Sequence, residues 1–352
     1  MSAVELGPIE GVGVLGTGLS FPALRLSNLE VLQRLKGPLF AGRPRAAGDE
    51  ELQFLAEGME ATLGVRERYW SHLPGSPLDA QGEESVVDLG VRAAREALEA
   101  AGVKATELKM VLCATSTPHR MTSTVSAPIA TAIGATGAAM DTRTGCSGGL
   151  FALATGAQLV AGGAGPVLIV GVDAFSRVLP PASRIAALSL GDGAAALVLG
   201  ARAGSSVEAL FLRTDGALGQ LITTDGALPP TESEIARGGY LLSGAPDALT
   251  AVVPEKYDEA IGAVLRRAKA TAADVELFAP HQTSRKLIAE LCRRTGVASE
   301  RAFVSVERHA NIGAAGWLAA LHLAQEQARR GARVLTAAVG GGMSWGAALF
   351  RW

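Results

Sequence analysis

Short apolar runs alternate along this chain with longer stretches in which Ala and Leu recur at helical spacing. Val12 to Gly18, Met110 to Ser116, Val167 to Val172, Ala194 to Leu199, Val275 to Ala279, Val334 to Val339 and Trp345 to Phe350 read as strands. Several of these runs are almost wholly apolar, as expected of strands covered on both faces. Helices are predicted over Ser85 to Ala101, closed by Gly102, and over Thr124 to Gly134, Ser147 to Val160, Pro254 to Ala268, Thr283 to Thr295 and Ala314 to Arg330. Alternation of this kind argues for an α/β fold with buried sheets. The Gly-, Pro- and Thr-rich stretch from Asp215 to Thr250 is expected to be a loop-rich excursion, and no freely mobile linker is expected. Gly191-Asp192-Gly193-Ala194-Ala195-Ala196-Leu197 is faintly echoed by Gly342-Met343-Ser344-Trp345-Gly346-Ala347-Ala348-Leu349, a hint of duplication.

Composition narrows the picture. With 48% hydrophobic and 19% charged residues among 352, the chain can bury a large core and is not of a disordered type. A net charge of −2 gives no global reason to expect a nucleic-acid partner. Cys113, Cys146 and Cys292 form no Cys-x-x-Cys pair and no disulfide framework, which points to a reducing, cytoplasmic setting. No leader pattern of basic then apolar residues opens the chain. No membrane span is expected either, since the low-charge stretch from Leu150 to Val172 is broken by Gly162-Gly163 and Gly165-Pro166.

Three islands carry candidate chemistry: Thr144-Gly145-Cys146-Ser147-Gly148-Gly149, Pro280-His281-Gln282 and His309-Ala310-Asn311, followed by the Gly-rich run Gly340-Gly341-Gly342. A lone Cys is more often a small buried hydrophobe than a nucleophile, and that ordinary role is assigned to Cys113 and Cys292. Cys146 differs, because it lies among glycines at the start of a predicted helix, where the helix dipole favours a thiolate and small neighbours admit a substrate. The same letters match the G-x-S-x-G elbow, with Ser147 as nucleophile and Asp192 and His281 as its partners. That reading leaves Asn311 and the Gly run unexplained. His281 follows a strand and precedes a helix, the carboxyl-end position at which α/β sites gather. Asn311 alone could be a turn or cap residue. His309 is a rival imidazole, since residues 309 and 311 of an extended chain face the same side. Gly11-x-Gly13-x-x-Gly16 falls within a strand and is rejected as a dinucleotide fingerprint. No metal-ligand spacing is present, and His72, His119 and His322 are given ordinary structural roles.

Cys…His…Asn in this order, with the Gly run near the C-terminus, resembles the β-ketoacyl-acyl-carrier-protein synthase III family of thiolase-fold condensing enzymes. The resemblance implies a five-layered αβαβα fold of two similar halves, 1–200 carrying the nucleophile and 201–352 carrying His and Asn, assembled as a homodimer. It implies acyl transfer to Cys146 and then C–C bond formation. His281 and Asn311 would stabilise the enolate, and the N–H groups of Cys146 and Gly341 would hold the tetrahedral oxyanion. No bound cofactor or metal is implied, only phosphopantetheine-linked substrates on acyl carrier protein or CoA. By the same resemblance Met121 lies where a Phe commonly closes the acyl channel from the partner subunit, which suggests a long or branched acyl group of the natural-product type. Arg285 and Lys286, with Arg293 and Arg294 roughly on the same helical face, form a candidate carrier-docking patch. The family motif Gly64-Val65-Arg66-Glu67-Arg68 is present, but the preceding positions of the CoA clamp fall on Gly58 and Thr62. Carrier-bound donors are therefore expected over CoA. The condensation variants include joining two β-ketoacyl chains to a pyrone. Acyl transfer to an alcohol or amine, and a silent carrier-binding dimer, are the competing functions.

Overall fold

The computed structural model describes residues 2–42, 47–74, 76 and 84–352. One strand organises it. Asp192–Thr214 runs for 23 residues, far beyond the segment predicted from Ala194 to Leu199. Its first part pairs antiparallel with Val167–Ala174 on one side and Ile9–Ser20 on the other. Its second part pairs antiparallel with Ser344–Arg351 and, at the other edge, with Val4–Leu6. Beyond Val167–Ala174 lie the parallel strands Met110–Ala114 and Ala138–Thr142. Beyond Ser344–Arg351 lie Arg333–Gly340 and then, parallel to it, Leu277–Phe278, with a single bridge from Phe278 to Ala302. The run Ala138–Thr142, Met110–Ala114, Val167–Ala174, first part of the long strand, Ile9–Ser20 is thus repeated, with the same parallel and antiparallel pairings, by the Ala302 bridge, Leu277–Phe278, Arg333–Gly340, Ser344–Arg351 and the second part of the long strand.

Alternation of side chains explains the layering, because successive residues of a strand point to opposite faces. In Val167–Ala174, Val167 and Ile169 enter a central core, while Leu168, Val170 and Val172 enter an outer one. In Arg333–Gly340, Val334 and Ala338 face the central core, and Leu335, Ala337 and Val339 face a second outer core. The central layer is filled by Gly148–Ala161 and Gly316–Ala324, helices apolar nearly all round, as full burial requires. The outer cores are closed by Val86–Ala101 with Ser126–Ile133 on one side, and by Pro246–Arg267 with Arg285–Thr295 on the other. Burying each Val, Leu or Ile of these faces contributes roughly 1.5–3 kcal/mol.

Local chemistry sets the helix ends. Ser85 and Asp88 form a capping box at the start of Val86–Ala101, and Gly102, at φ 64°, closes it. That helix lies directly on Ile9–Ser20, where a Cβ on Gly18 would come within 2.2 Å of the Ala93 carbonyl oxygen. Two predicted helices differ in extent. The one expected from Pro254 begins at Pro246, a proline in the first turn, where no N–H is required, and carries Pro254 in its interior. The one expected over Ala314 to Arg330 narrows to Gly316–Ala324, flanked by 3-10 turns at Gly313–Ala315 and Gln325–Gln327. The excursion after Asp215 is loop-rich, with a small hairpin of Ile222–Thr224 and Leu242–Gly244. No helix among the described residues is long and apolar enough to cross a membrane.

Candidate active site

Cys146 sits in a 3-10 turn, Gly145–Ser147, that feeds the buried helix Gly148–Ala161. Gly145 has φ 59°, and a Cβ there would lie 2.3 Å from the backbone nitrogen of Gly341. A Cβ on Gly340 would lie 2.4 Å from the backbone nitrogen of Cys146. Only glycine at both positions lets the two loops touch, and the contact sets the backbone of Cys146 beside that of Gly340 and Gly341. Cys146 is partly accessible, whereas Ser147 is fully buried and its hydroxyl donates to the Thr144 carbonyl at 2.7 Å. Asp192 accepts from the backbone and hydroxyl groups of Ser71 and Ser176. The serine-elbow reading therefore fails on both its nucleophile and its acid.

The thiol is pushed up to about 12, first by desolvation and then by the negative charge of Asp173, against a backbone hydrogen bond that pulls it down. The helix terminus was expected to favour the thiolate, but burial outweighs it, so the resting nucleophile is a thiol. Below that pKa the thiolate fraction rises tenfold per pH unit. Alkylation of Cys146 by iodoacetamide, mapped by mass spectrometry, should climb steadily from pH 7 to 10. A plateau below pH 8 would show an activated thiolate and overturn this reading.

His281 follows the strand Leu277–Phe278, and its backbone N–H donates to the Ala337 carbonyl of Arg333–Gly340 at 2.8 Å. The imidazole is fully buried, and neither ring nitrogen has a hydrogen-bond partner among the described residues. Burial, aided by nearby His309, pushes its pKa down to about 3, so the ring is neutral. A Cβ on Gly316 would come within 2.2 Å of Nδ1, so that glycine makes room for the ring. Gln282 satisfies all its hydrogen-bonding capacity: the amide nitrogen donates to the carbonyls of Pro280 and Phe303, and the amide oxygen accepts from the N–H groups of Ser305 and Val306. It ties the His281 strand end to the arm that carries Asn311.

Asn311 is clamped through its backbone, donating to Ser189 and accepting from Gly191. Its side-chain oxygen accepts from the Gly313 N–H at 2.9 Å, which leaves the amide nitrogen as donor. The turn that follows, Gly313–Ala315, contacts Gly145–Ser147, and so does Arg333–Gly340, the strand that holds His281. The segments that carry the three islands are thus neighbours. His309 does not join them. Residues 306–309 are helical rather than extended, and the ring is occupied by the Ser305 hydroxyl and the Ala310 carbonyl, each at 2.8 Å, and stacks on Phe21.

Comparison with known proteins gives the family. Residues 140–216 match the family model of 3-oxoacyl-[acyl-carrier-protein] synthase III, and residues 265–352 match the model of its C-terminal part. The β-ketoacyl-[acyl-carrier-protein] synthase III of Brucella anthropi is 34% identical over 303 residues, covering 82% of this chain and 88% of that protein. This chain belongs to the 3-oxoacyl-[acyl-carrier-protein] synthase III family. The crystal structure of the Pseudomonas aeruginosa 3-oxoacyl-(acyl carrier protein) synthase III superposes with a TM-score of 0.83 at 26% identity, covering 97% of this chain and 98% of that one. The priming β-ketosynthase of the R1128 polyketide pathway gives 0.80 at 25%, covering 98% of each. The fold is the five-layered thiolase-like one, and the chain is an acyl-transferring, C–C bond-forming enzyme of the synthase III type.

The remaining residues predicted for this synthase III enzyme, Met121, Arg285 and Lys286, are exposed. Met121 is 68% exposed, in the segment between Met110–Ala114 and Ser126–Ile133. Arg285 and Lys286 open the helix Arg285–Thr295, capped by Ser284. They line a groove of about 700 Å³ together with Thr62, Gly64, Arg66 and Glu307. The basic patch is smaller than the sequence suggested. Arg293 pairs with Glu290, Arg294 with Asp258, and Arg285 with Glu307. Lys286 has no ion pair among the described residues. At the clamp positions, the Thr62 hydroxyl donates back to the Gly58 carbonyl, and Gly58 faces open space. No group of three or more His, Cys, Asp or Glu side chains among the described residues is placed to hold a metal ion. Two residues escaped the sequence reading: Gln282, quoted only as a motif letter, and Asp173, a carboxylate at the end of an otherwise apolar strand. That isolated acid was the available signal.

Proposed function

We propose that Cys146 takes an acyl group from a carrier-bound thioester, and that His281 and Asn311 then hold the enolate of a malonyl or β-ketoacyl thioester as it attacks acyl-Cys146. In the first step the thiol gives up its proton as its sulfur adds to the thioester carbonyl, and the carrier leaves as a thiol. The N–H groups of Cys146 and Gly341 hold the intervening oxyanion, and each such donor is worth roughly 3 kcal/mol of barrier. In the second step an N–H of neutral His281 and the Asn311 amide donate to the acceptor carbonyl. A malonyl thioester loses CO2, or a β-ketoacyl thioester its α-proton, to give the enolate. Its α-carbon bonds to the acyl carbon as the C–S bond to Cys146 breaks, and the departing thiolate takes up a proton, from solvent in the first case and in net the α-proton in the second. The observation that carries this reading is the neutral imidazole of His281, unpartnered among the described residues, together with an Asn311 whose amide nitrogen is left to donate. Acyl transfer to oxygen is better served by a base oriented by a carboxylate, and no carboxylate holds His281. Intact-mass analysis after incubation with a panel of acyl carriers and acyl-CoAs, followed by product analysis with malonyl carrier, tests the sequence of steps.

The same reading assigns the nucleophile to a first half, residues 1–200, and His281 and Asn311 to a second, 201–352, with the long strand as their join. It makes the enzyme a cytoplasmic homodimer. The exposed edge strand Ala138–Thr142, with Met140 39% accessible, suits pairing with a second copy, and Met121 would then reach the partner's channel. The soft Met side chain suits a long or branched acyl group. Carrier docking falls to the groove, with Lys286 as its available cation and Arg285 beside it. Gly58 and Thr62 supply neither a stacking ring nor a phosphate-binding charge, so an acyl carrier should outperform the matching acyl-CoA. Lys286→Glu should slow acylation by acyl carrier about tenfold at low salt, and act less as ionic strength rises. Its reaction with a small acyl-pantetheine thioester should be unchanged. Equal slowing of both donors would point to local damage and remove Lys286 from docking.

A further inference from the structure

Asp173, the penultimate residue of the strand Val167–Ala174, is fully buried and receives five hydrogen bonds. Four converge on one oxygen, from the hydroxyls of Thr115 and Thr117 and the backbone N–H groups of Ser116 and Thr117. The other oxygen accepts from the Ala314 N–H at 2.8 Å. Ala314 belongs to the turn that follows Asn311 and touches the Cys146 turn. The fit is close on both sides. A Cβ on Gly313, at φ 59°, would lie 2.1 Å from the second oxygen, and a Cβ on Gly171 would lie 2.5 Å from the Ala314 carbonyl oxygen.

We propose that Asp173 is a positioning residue, whose carboxylate tethers the turn after Asn311 to the end of the strand Val167–Ala174 and so fixes the Asn311 amide over Cys146. The proposal rests on the condensation reading given above. The tether comes with an electrostatic penalty, for a negative charge here raises the Cys146 thiol. A residue placed to activate the thiol would not carry that sign. Its placement is explained by the enolate step, which needs the Asn311 donor held still.

Asp173→Asn separates the two effects. The Asn oxygen can stay with the four-donor side, which puts its NH2 against the Ala314 N–H, donor facing donor. Hydrogen exchange in the peptide spanning residues 311–315 should speed at least tenfold. Condensation of octanoyl-Cys146 with malonyl carrier protein should fall on the order of 100-fold. Alkylation of Cys146 by iodoacetamide at pH 8 should become several-fold faster, because the neighbouring charge is gone. Global misfolding would slow both reactions together, and that outcome in a variant melting like the wild type overturns the proposal. Unchanged exchange and condensation overturn it too. A wild type that fails to condense, while exchange responds as described, sinks the functional reading and leaves the tether standing. If Asp173→Asn does not fold, Ala314→Pro removes the tethering N–H and keeps the charge. Condensation should then fall with alkylation unchanged, and normal condensation in Ala314→Pro refutes the tether.

Discussion

Cys146→Ala should abolish the covalent acyl-enzyme and reduce condensation by at least ~1000-fold, while Cys113→Ala and Cys292→Ala retain both. The expected size follows from the chemistry. Without the sulfur there is no atom to carry the acyl group between the two half-reactions, and the oxyanion donors alone cannot join the substrates. The alternatives are structurally poor. Cys113 is fully buried between strands, its thiol raised well above the usual range by desolvation and by Asp141 and Asp173. Cys292 lies inside the helix Arg285–Thr295, also buried. Ser147, the neighbour that a short motif once favoured, has its hydroxyl committed to Thr144. Intact-protein mass spectrometry with peptide mapping reads the result directly. An adduct that survives Cys146→Ala, or maps to Ser147, ends the thiol mechanism.

Most of the layering was legible because it rests on local patterns. Val167 to Val172 and Val334 to Val339 are apolar at every position, and such runs have few places to go except between two covered faces. The cap of Val86–Ala101 could be read from Ser85, Asp88 and Gly102. The site islands were legible for a different reason: Gly145, Gly340 and Gly341 leave a Cys and backbone N–H groups unobstructed, a costly use of glycine without a ligand to serve.

What stayed hidden depends on distant partners. Nothing local says that Asp192–Thr214 continues as a single strand through Ala201 to Ser205, because that continuity is set by its neighbours Ile9–Ser20 and Ser344–Arg351. The hydroxyl and amide ladder around Asp173 joins residues 115–117 to 314, and no periodicity encodes it. The charge of the helix Arg285–Thr295 was misjudged for a related reason. Arg293 and Arg294 look free in sequence, but Glu290 lies one helical turn away and Asp258 comes from another helix. The thiol was misjudged as well: a helix terminus is visible in sequence, whereas the depth of burial that outweighs it is not.

His281→Ala and Asn311→Ala should each cut condensation roughly 100- to 1000-fold, while acyl-Cys146 still forms within about tenfold of the wild-type rate. The division follows from where each group points. In the proposed first step the tetrahedral oxyanion is held by backbone N–H groups of the touching Cys146 and Gly341 loops, which neither substitution alters. In the proposed second step the enolate is held by the imidazole and the amide. Because burial holds His281 at about 3, it is neutral from pH 5 to 9, so condensation should show no inflection near 6.5 from this ring. An inflection there that vanishes in His281→Ala would mean that the imidazole works as a cation or a titrating base. Stopped-reaction mass spectrometry separates the steps, since a mutant blocked only in the second accumulates acyl-enzyme. His309 provides the control. Its ring is already engaged by Ser305 and Ala310, so His309→Gln should lower the melting temperature more than the condensation rate. If Asn311→Ala condenses normally and His309→Gln does not, the enolate is held by the other side of that arm, and the assignment of Asn311 is wrong.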